Sequence, residues 1–139
     1  MPKVLLTRGL PASGKSTWSK QFVQDNDNWL RFNNDDYCEM LTGKRFGQVD
    51  GKFLAGERKA FLGRVVREGY SVVLDNTNLN PYTFEEARNV AGYWAEIDVV
   101  DFKQDLETCI IRDQAREHPV GINVITGMVE KWGHLYDWL

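Results

Sequence analysis

Short apolar runs and longer stretches of helical periodicity alternate along this chain. Val4-Leu5-Leu6 is continuous rather than alternating, the pattern of a strand covered on both faces, and it predicts a buried strand over residues 3–8. Residues 15–25 read as a helix and Trp29 to Asn33 as a short second strand. A helix starts over Asp35 to Leu41, with Asn34 or Asp35 as its N-cap. Thr42 to Gly51 is loop-like, punctuated by Gly43, Gly47 and Gly51. Lys52 to Glu68 reads as a long helix, since Leu54, Phe61 and Val65, with Leu62 and Val66 beside them, fall near one face. Gly69 stands where a left-handed residue ends a helix. Ser71 to Asp75 is another buried strand, closing on an acid. Asn80 and Pro81 fit the cap and first position of a helix running to Val90. Ala95 to Phe102 is a further strand, Asp105 to Arg116 a helix, and residues 122–133 a last helix. The aromatic-rich tail, Trp132 to Leu139, is expected to pack back on the body.

Such alternation, joined by right-handed crossovers, predicts an α/β fold: a parallel sheet of four or five strands with helices on both faces. A length of 139 residues fits one domain, expected to run over residues 1–139. The content of 42% hydrophobic and 27% charged residues is that of an ordinary globular protein. No apolar run approaches the ~20 residues needed to cross a bilayer. Lys3 leads directly into the first strand, without the pattern of a secretory leader, so a cytoplasmic chain with no membrane partner is expected. Cys38 and Cys109 stand far apart and read as reduced thiols. The net charge of −3 gives no global footprint for duplex nucleic acid, although a few arginines could still hold a nucleic-acid end.

In an open parallel sheet, ligands bind at the carboxyl ends of the strands. Three polar motifs fall there. The first is Gly9-Leu10-Pro11-Ala12-Ser13-Gly14-Lys15-Ser16-Thr17, a phosphate-binding loop placed between a strand and a helix. Its backbone N–H groups, from Gly9 through Ala12, Ser13, Gly14 and Thr17, would converge on an anion. Lys15 would reach the β- and γ-phosphates, and the Ser16 hydroxyl would ligate Mg²⁺. The second is Asn33-Asn34-Asp35-Asp36. One of the two acids would face a γ-phosphate and accept the proton of an attacking hydroxyl, and the other would cap the helix or face water. Two acids favoured by the helix dipole is the plainer alternative. The third is Asp75-Asn76-Thr77. Asp75 is either a second acid for the metal, acting through water, or a turn residue; Asn76 and Thr77 are candidates to face the site.

Arg112 and Arg116, four apart, project from one helical face and precede the loop Glu117-His118-Pro119-Val120-Gly121. They read as a lid that binds nucleotide and spreads over transferring phosphoryl oxygens. The alternative is a solvated face paired with Asp113 and Glu117. His118 and His134 are isolated and read as structural or surface residues. The five tryptophans read more simply as core than as base-stacking residues.

Taken in order, the loop from Gly9 to Thr17 followed by Trp18, then Asn33-x-Asp35-Asp36-Tyr37, Thr77-Asn78-Leu79-Asn80-Pro81 and Arg112-x-x-x-Arg116 resemble the kinase domain of phage-type polynucleotide 5′-hydroxyl kinase. The resemblance spans nearly the whole chain. It implies a P-loop kinase fold with a C-terminal helical lid, ATP and Mg²⁺ as cofactors, and a nucleic-acid 5′-OH end, DNA or RNA, as acceptor. By the family pattern Asp35 is the general base, Lys15 and Ser16 the phosphate and magnesium ligands, and Arg116 a transition-state arginine seconded by Arg112. Two positions depart from the pattern. Cys38 stands where the family's phage member has an arginine on a substrate phosphate, with Arg31, Lys44 and Arg45 as nearby substitutes. Asn76 stands at the family's acid, with Asp75 one place earlier. No phosphatase domain accompanies this segment, so 3′-end healing is not expected. A small-molecule hydroxyl kinase of the same fold and a nucleotide switch are the competing functions. Neither the preferred nucleic acid nor the oligomeric state is legible in these residues.

Overall fold

A computed structural model of the chain describes residues 1–139. Its elements run β1 (Lys3–Arg8), α1 (Lys15–Asp25), β2 (Trp29–Phe32), α2 (Asn34–Thr42), α3 (Gly51–Arg67), β3 (Ser71–Leu74), α4 (Tyr82–Ala91), β4 (Glu96–Asp101), α5 (Leu106–Gln114) and α6 (Ile122–Trp132), with a 3₁₀ turn at Gly133–Leu135. Four parallel strands form one sheet in the order β2-β3-β1-β4, the lower of the two expected counts.

That order dictates where the helices lie. The chain moves outward from β1 to β2 and back from β2 to β3 and on to β4. Right-handed crossovers therefore place α1 on one face and α3 and α4 on the other. The core agrees: Val4, Leu6, Val72 and Leu74 of the central strands pack with Leu62 and Val66 of α3 and Ala87 and Ala91 of α4. No residue of α1 joins that cluster; its Trp18 and Phe22 stack on each other and meet Phe102 and Trp29. A second cluster, Leu10, Leu79, Cys109 and Ile125, joins the phosphate loop to α5 and α6. Trp132, Tyr136 and Trp138 of the tail pack against it, as expected. The Tyr136 hydroxyl donates to the Leu79 carbonyl at 2.7 Å.

Helix boundaries follow local chemistry. Gly69, at φ 93°, closes α3: its N–H donates to the Val66 carbonyl and that of Tyr70 to the Val65 carbonyl, a Schellman ending. The Asn80 carboxamide accepts from Tyr82 N at 3.0 Å and caps α4. The start of α2 differs from expectation. Its cap is Asn33, not Asn34 or Asp35: Asn33 has extended backbone angles, and its side-chain oxygen accepts from Asp36 N at 2.8 Å. The shift matters because Asp35 now belongs to the first turn and is free of capping duty.

Candidate active site

The phosphate loop leaves β1 at Arg8 and turns on glycine. A Cβ at Gly9 would lie 2.7 Å from the Phe102 carbonyl oxygen, so only glycine allows β1 and the residue after β4 to approach this closely. Ala12 (φ 64°) and Gly14 (φ 100°) take left-handed angles that curl the loop. Helix α1 starts with no side-chain cap and no acid in its first turn. The positive end of its dipole is therefore left for an incoming anion.

Lys15 is buried. Its Nζ donates to the Gly9 carbonyl at 2.9 Å, to the Leu10 carbonyl and to Ser13 Oγ at 3.3 Å. Burial lowers its pKa to about 8, so the ammonium still carries its charge at neutral pH. Gly9 and Ser13, expected among the nucleotide-binding residues, do not line the cavity in front of the loop. They shape it instead, Ser13 by holding the lysine.

That cavity has a volume of about 420 Å³, ample for a small ligand. Ala12, Gly14, Lys15, Ser16 and Thr17 form one wall. Asn33, Asn34 and Asp35 enter from the end of β2, and Asp75, Asn76 and Thr77 from the end of β3. Arg112, Arg116, Val120 and Met128 close it from α5, the following loop and α6. All three polar motifs read from the sequence, and the arginine pair, meet in this space.

The two adjacent acids have different fates. Asp35 lines the cavity, and burial raises its pKa above the ordinary carboxylate value; Asp36 and Asp75 add to the rise, while Arg45 and Arg116 oppose it. The second acid is expected to cap the helix or face water; instead Asn33 is the cap, and Asp36, only partly exposed, is paired with two arginines. Its Oδ2 lies 2.7 Å from Arg31 Nη1, and its Oδ1 pairs with Arg45. Burial works against the Asp36 charge, but hydrogen bonds from the two arginines outweigh it and hold the carboxyl below its ordinary pKa.

Asp75 is fully buried, so it is no surface turn residue. Its Oδ2 pairs with Arg31, and its main-chain carbonyl accepts from Asn33 Nδ2 at 2.6 Å. Its Oδ1 has no hydrogen-bond partner. A buried carboxylate oxygen left unpartnered is costly unless something polar arrives. Ser16 lines the same cavity as Asp75, and the two side chains are of the kind that would suit a hydrated cation.

At the end of α5, Asp113 is buried rather than solvated, and its carboxylate organises the loop that follows. It accepts from Val120 N at 3.0 Å, Gly121 N at 2.9 Å and Arg116 Nη1 at 3.3 Å. The Arg116 side chain is still 37% exposed. His118 and His134 lie outside the cavity.

Of the three basic residues near Cys38, Arg45 lines the cavity, and Arg31 lies between Asp36 and Asp75. Cys38 itself is buried and does not reach the cavity. No spacing in the sequence singles out Arg45. It comes from the glycine-punctuated segment after α2, and only the path of that segment brings it back.

No helix is long and apolar enough to cross a membrane. A family model described as an AAA domain matches residues 4–134. A chain of the Pnkp1/Rnl/Hen1 RNA repair complex superposes with a TM-score of 0.79 at 22% identity, over 99% of this chain and 47% of that one. A second chain, from a Pnkp1/Rnl/Hen1 complex, gives a TM-score of 0.70 at 26% identity, over 80% of this chain and 38% of that one. This chain thus spans less than half the length of either. Shikimate kinase from Bacteroides thetaiotaomicron superposes with a TM-score of 0.63 at 15% identity, over 98% of this chain and 82% of that one. Match and superpositions agree with the phosphate loop and the sheet order: the chain belongs to the AAA domain family and has a P-loop kinase fold.

Proposed function

We propose that this chain transfers the γ-phosphate of ATP to the 5′-hydroxyl of a nucleic acid. The observation that carries the reading is the placement of Asp35. A carboxylate with a raised pKa lines the same cavity as Lys15, Ser16, Arg112 and Arg116. Opposite the phosphate loop such a base can act on an acceptor hydroxyl that enters the cavity. Asp35 accepts the proton of the attacking hydroxyl, and a pKa lifted toward neutrality makes it a better base. Lys15 and the N-terminus of α1 hold the β- and γ-phosphates. Arg116 and Arg112 neutralise charge on the transferring group as it separates from the leaving oxygen. Ser16 and Asp75 are the residues that would hold magnesium, Asp75 through water; the ion, when bound, draws charge from the phosphate oxygens.

The nucleic-acid acceptor is supported by two observations. Likeness to the RNA repair chain, at a TM-score of 0.79, exceeds that to shikimate kinase, at 0.63. Arg45 also puts a guanidinium beside Asp35, where an acceptor phosphate can be gripped. Labelled ATP offered with 5′-OH DNA, 5′-OH RNA, nucleosides, sugars and shikimate tests the reading. Label is expected on an oligonucleotide 5′ end. Label on small alcohols alone would make the chain a small-molecule kinase. Lys15→Ala should abolish transfer, and Asp35→Ala should lower kcat by ~10²–10⁴-fold. Near-normal turnover in the Asp35 variant removes it from the role of base.

A further inference from the structure

The proposed reaction uses Asp35 and Asp75 and leaves unexplained the arginine that stands between their elements. Arg31 lies in β2, and its side chain is only 14% exposed. Its Nε and Nη2 both approach Asp75 Oδ2 at 2.8 Å, while Nη1 reaches Asp36 Oδ2 at 2.7 Å. One rigid, planar group thus bridges the end of β3 and the first turn of α2.

The grip on Asp75 is one-sided. Two other arginines in this molecule take both oxygens of a carboxylate. Arg8 holds Asp101 at 2.6 and 3.1 Å, and Arg58 holds Glu86 at 2.8 and 3.0 Å. Arg31 donates from Nε to one oxygen of Asp75, with Nη2 close to the same oxygen, and turns Nη1 to Asp36. Asp75 Oδ1 is left buried without a partner, on a residue that lines the cavity. The bond from Arg31 orients the carboxylate through Oδ2, and Oδ1 stands outside every internal hydrogen bond. Through Asp36, the same guanidinium fixes the turn that carries Asp35, one residue away.

We propose that Arg31 is a positioning residue with two arms: one presents Asp75 Oδ1 to a magnesium-bound water, and the other holds the first turn of α2 so that Asp35 meets the acceptor hydroxyl. The proposal rests on the phosphotransferase reading above, and its test separates the two. Calorimetric titration of ADP with magnesium, and again with EDTA, measures how much the metal tightens nucleotide binding. Wild-type protein is expected to gain affinity from magnesium. Arg31→Ala should lose at least about tenfold of that gain, with ADP affinity in EDTA unchanged, as is usual when the support of a metal ligand is removed. Asp36→Asn cuts only the helix arm. It should keep the magnesium gain while kcat for transfer falls about tenfold. Arg31→Lys, a point charge that cannot hold both carboxylates, should fall between wild type and Arg31→Ala.

A folded Arg31→Ala variant with the full magnesium gain overturns the proposal. So does an Asp36→Asn variant that loses as much of that gain as Arg31→Ala. If Arg31→Ala does not fold, Arg31→Lys decides: a lysine variant equal to wild type in both magnesium gain and kcat rules out the two-armed bridge. Wild-type protein that binds ADP identically with and without magnesium overturns the proposal alone, whereas the phosphotransferase reading falls only if no acceptor takes label from ATP.

Discussion

Asp35 gains its raised pKa first from burial, then from Asp36 and Asp75, against the pull of Arg45 and Arg116. Only the carboxylate form accepts a proton, so kcat/KM should fall as pH drops through that raised value. Arg45 lowers the pKa of Asp35. Arg45→Gln should therefore move the acidic limb of the kcat/KM profile to higher pH, and a limb that stays in place would separate it from Asp35. The same shift has a cost in stability. A carboxyl whose folded pKa exceeds its unfolded one stabilises the fold at low pH, and this stabilisation is lost as pH rises through the folded value. Asp35→Asn is therefore expected to raise the thermal midpoint at neutral pH while suppressing transfer. At this scale, residue types at the ends of apolar runs were readable: Lys15, Ser16, Asp35 and Asp75 all stand where the cavity forms. The partners of Asp36 were not readable, because the donors Arg31 and Arg45 belong to a strand and a loop whose juxtaposition no local spacing records.

Between α5 and α6 the chain is organised by one buried acid. Asp113 draws Val120 N, Gly121 N and Arg116 onto a single carboxylate. Hydrogen bonds to a charged acceptor contribute ~1.5–3 kcal/mol each, and donors left buried without one add their desolvation cost. Asp113→Ala should therefore destabilise the fold by about 2–4 kcal/mol in urea titration. It should also expose the segment 115–121 to limited proteolysis and raise KM for ATP, since Arg112 and Arg116 lose their frame. Unchanged cleavage would show that the loop holds its shape without the acid. Element positions were largely legible in advance, because periodicity and capping chemistry are local. The N-cap of α2 was the exception. Asn33, Asn34 and Asp35 are all good caps, and what selected Asn33 was the extended backbone of β2 continuing through it, with its amide also tied to the Asp75 carbonyl.

For the whole molecule, the face of the sheet packed by α3 and α4 holds the larger core, and Leu62 is among its most buried side chains. Leu62→Ala should cost ~2–5 kcal/mol, read as a lower denaturation midpoint, and leave transfer per folded molecule unchanged, since the site lies at the strand ends. A loss of transfer larger than the loss of folded protein would mean that core and site are coupled. The α/β class, the parallel sheet and the phosphate loop were determined by sequence alone, because each depends on patterns spanning a few neighbours: an unbroken apolar run, a glycine where a Cβ has no room, a lysine and a hydroxyl at set spacing. Only the tertiary structure decided which of two adjacent acids faces the cavity, that one Asp75 oxygen is left without a partner, and that an arginine from a glycine-rich loop joins the wall. The contact of Arg31 with Asp75 joins two strands far apart in the chain, and those of Asp36 with Arg31 and Arg45 depend on how β2, α2 and the segment after it fold back on one another; neither follows from local periodicity.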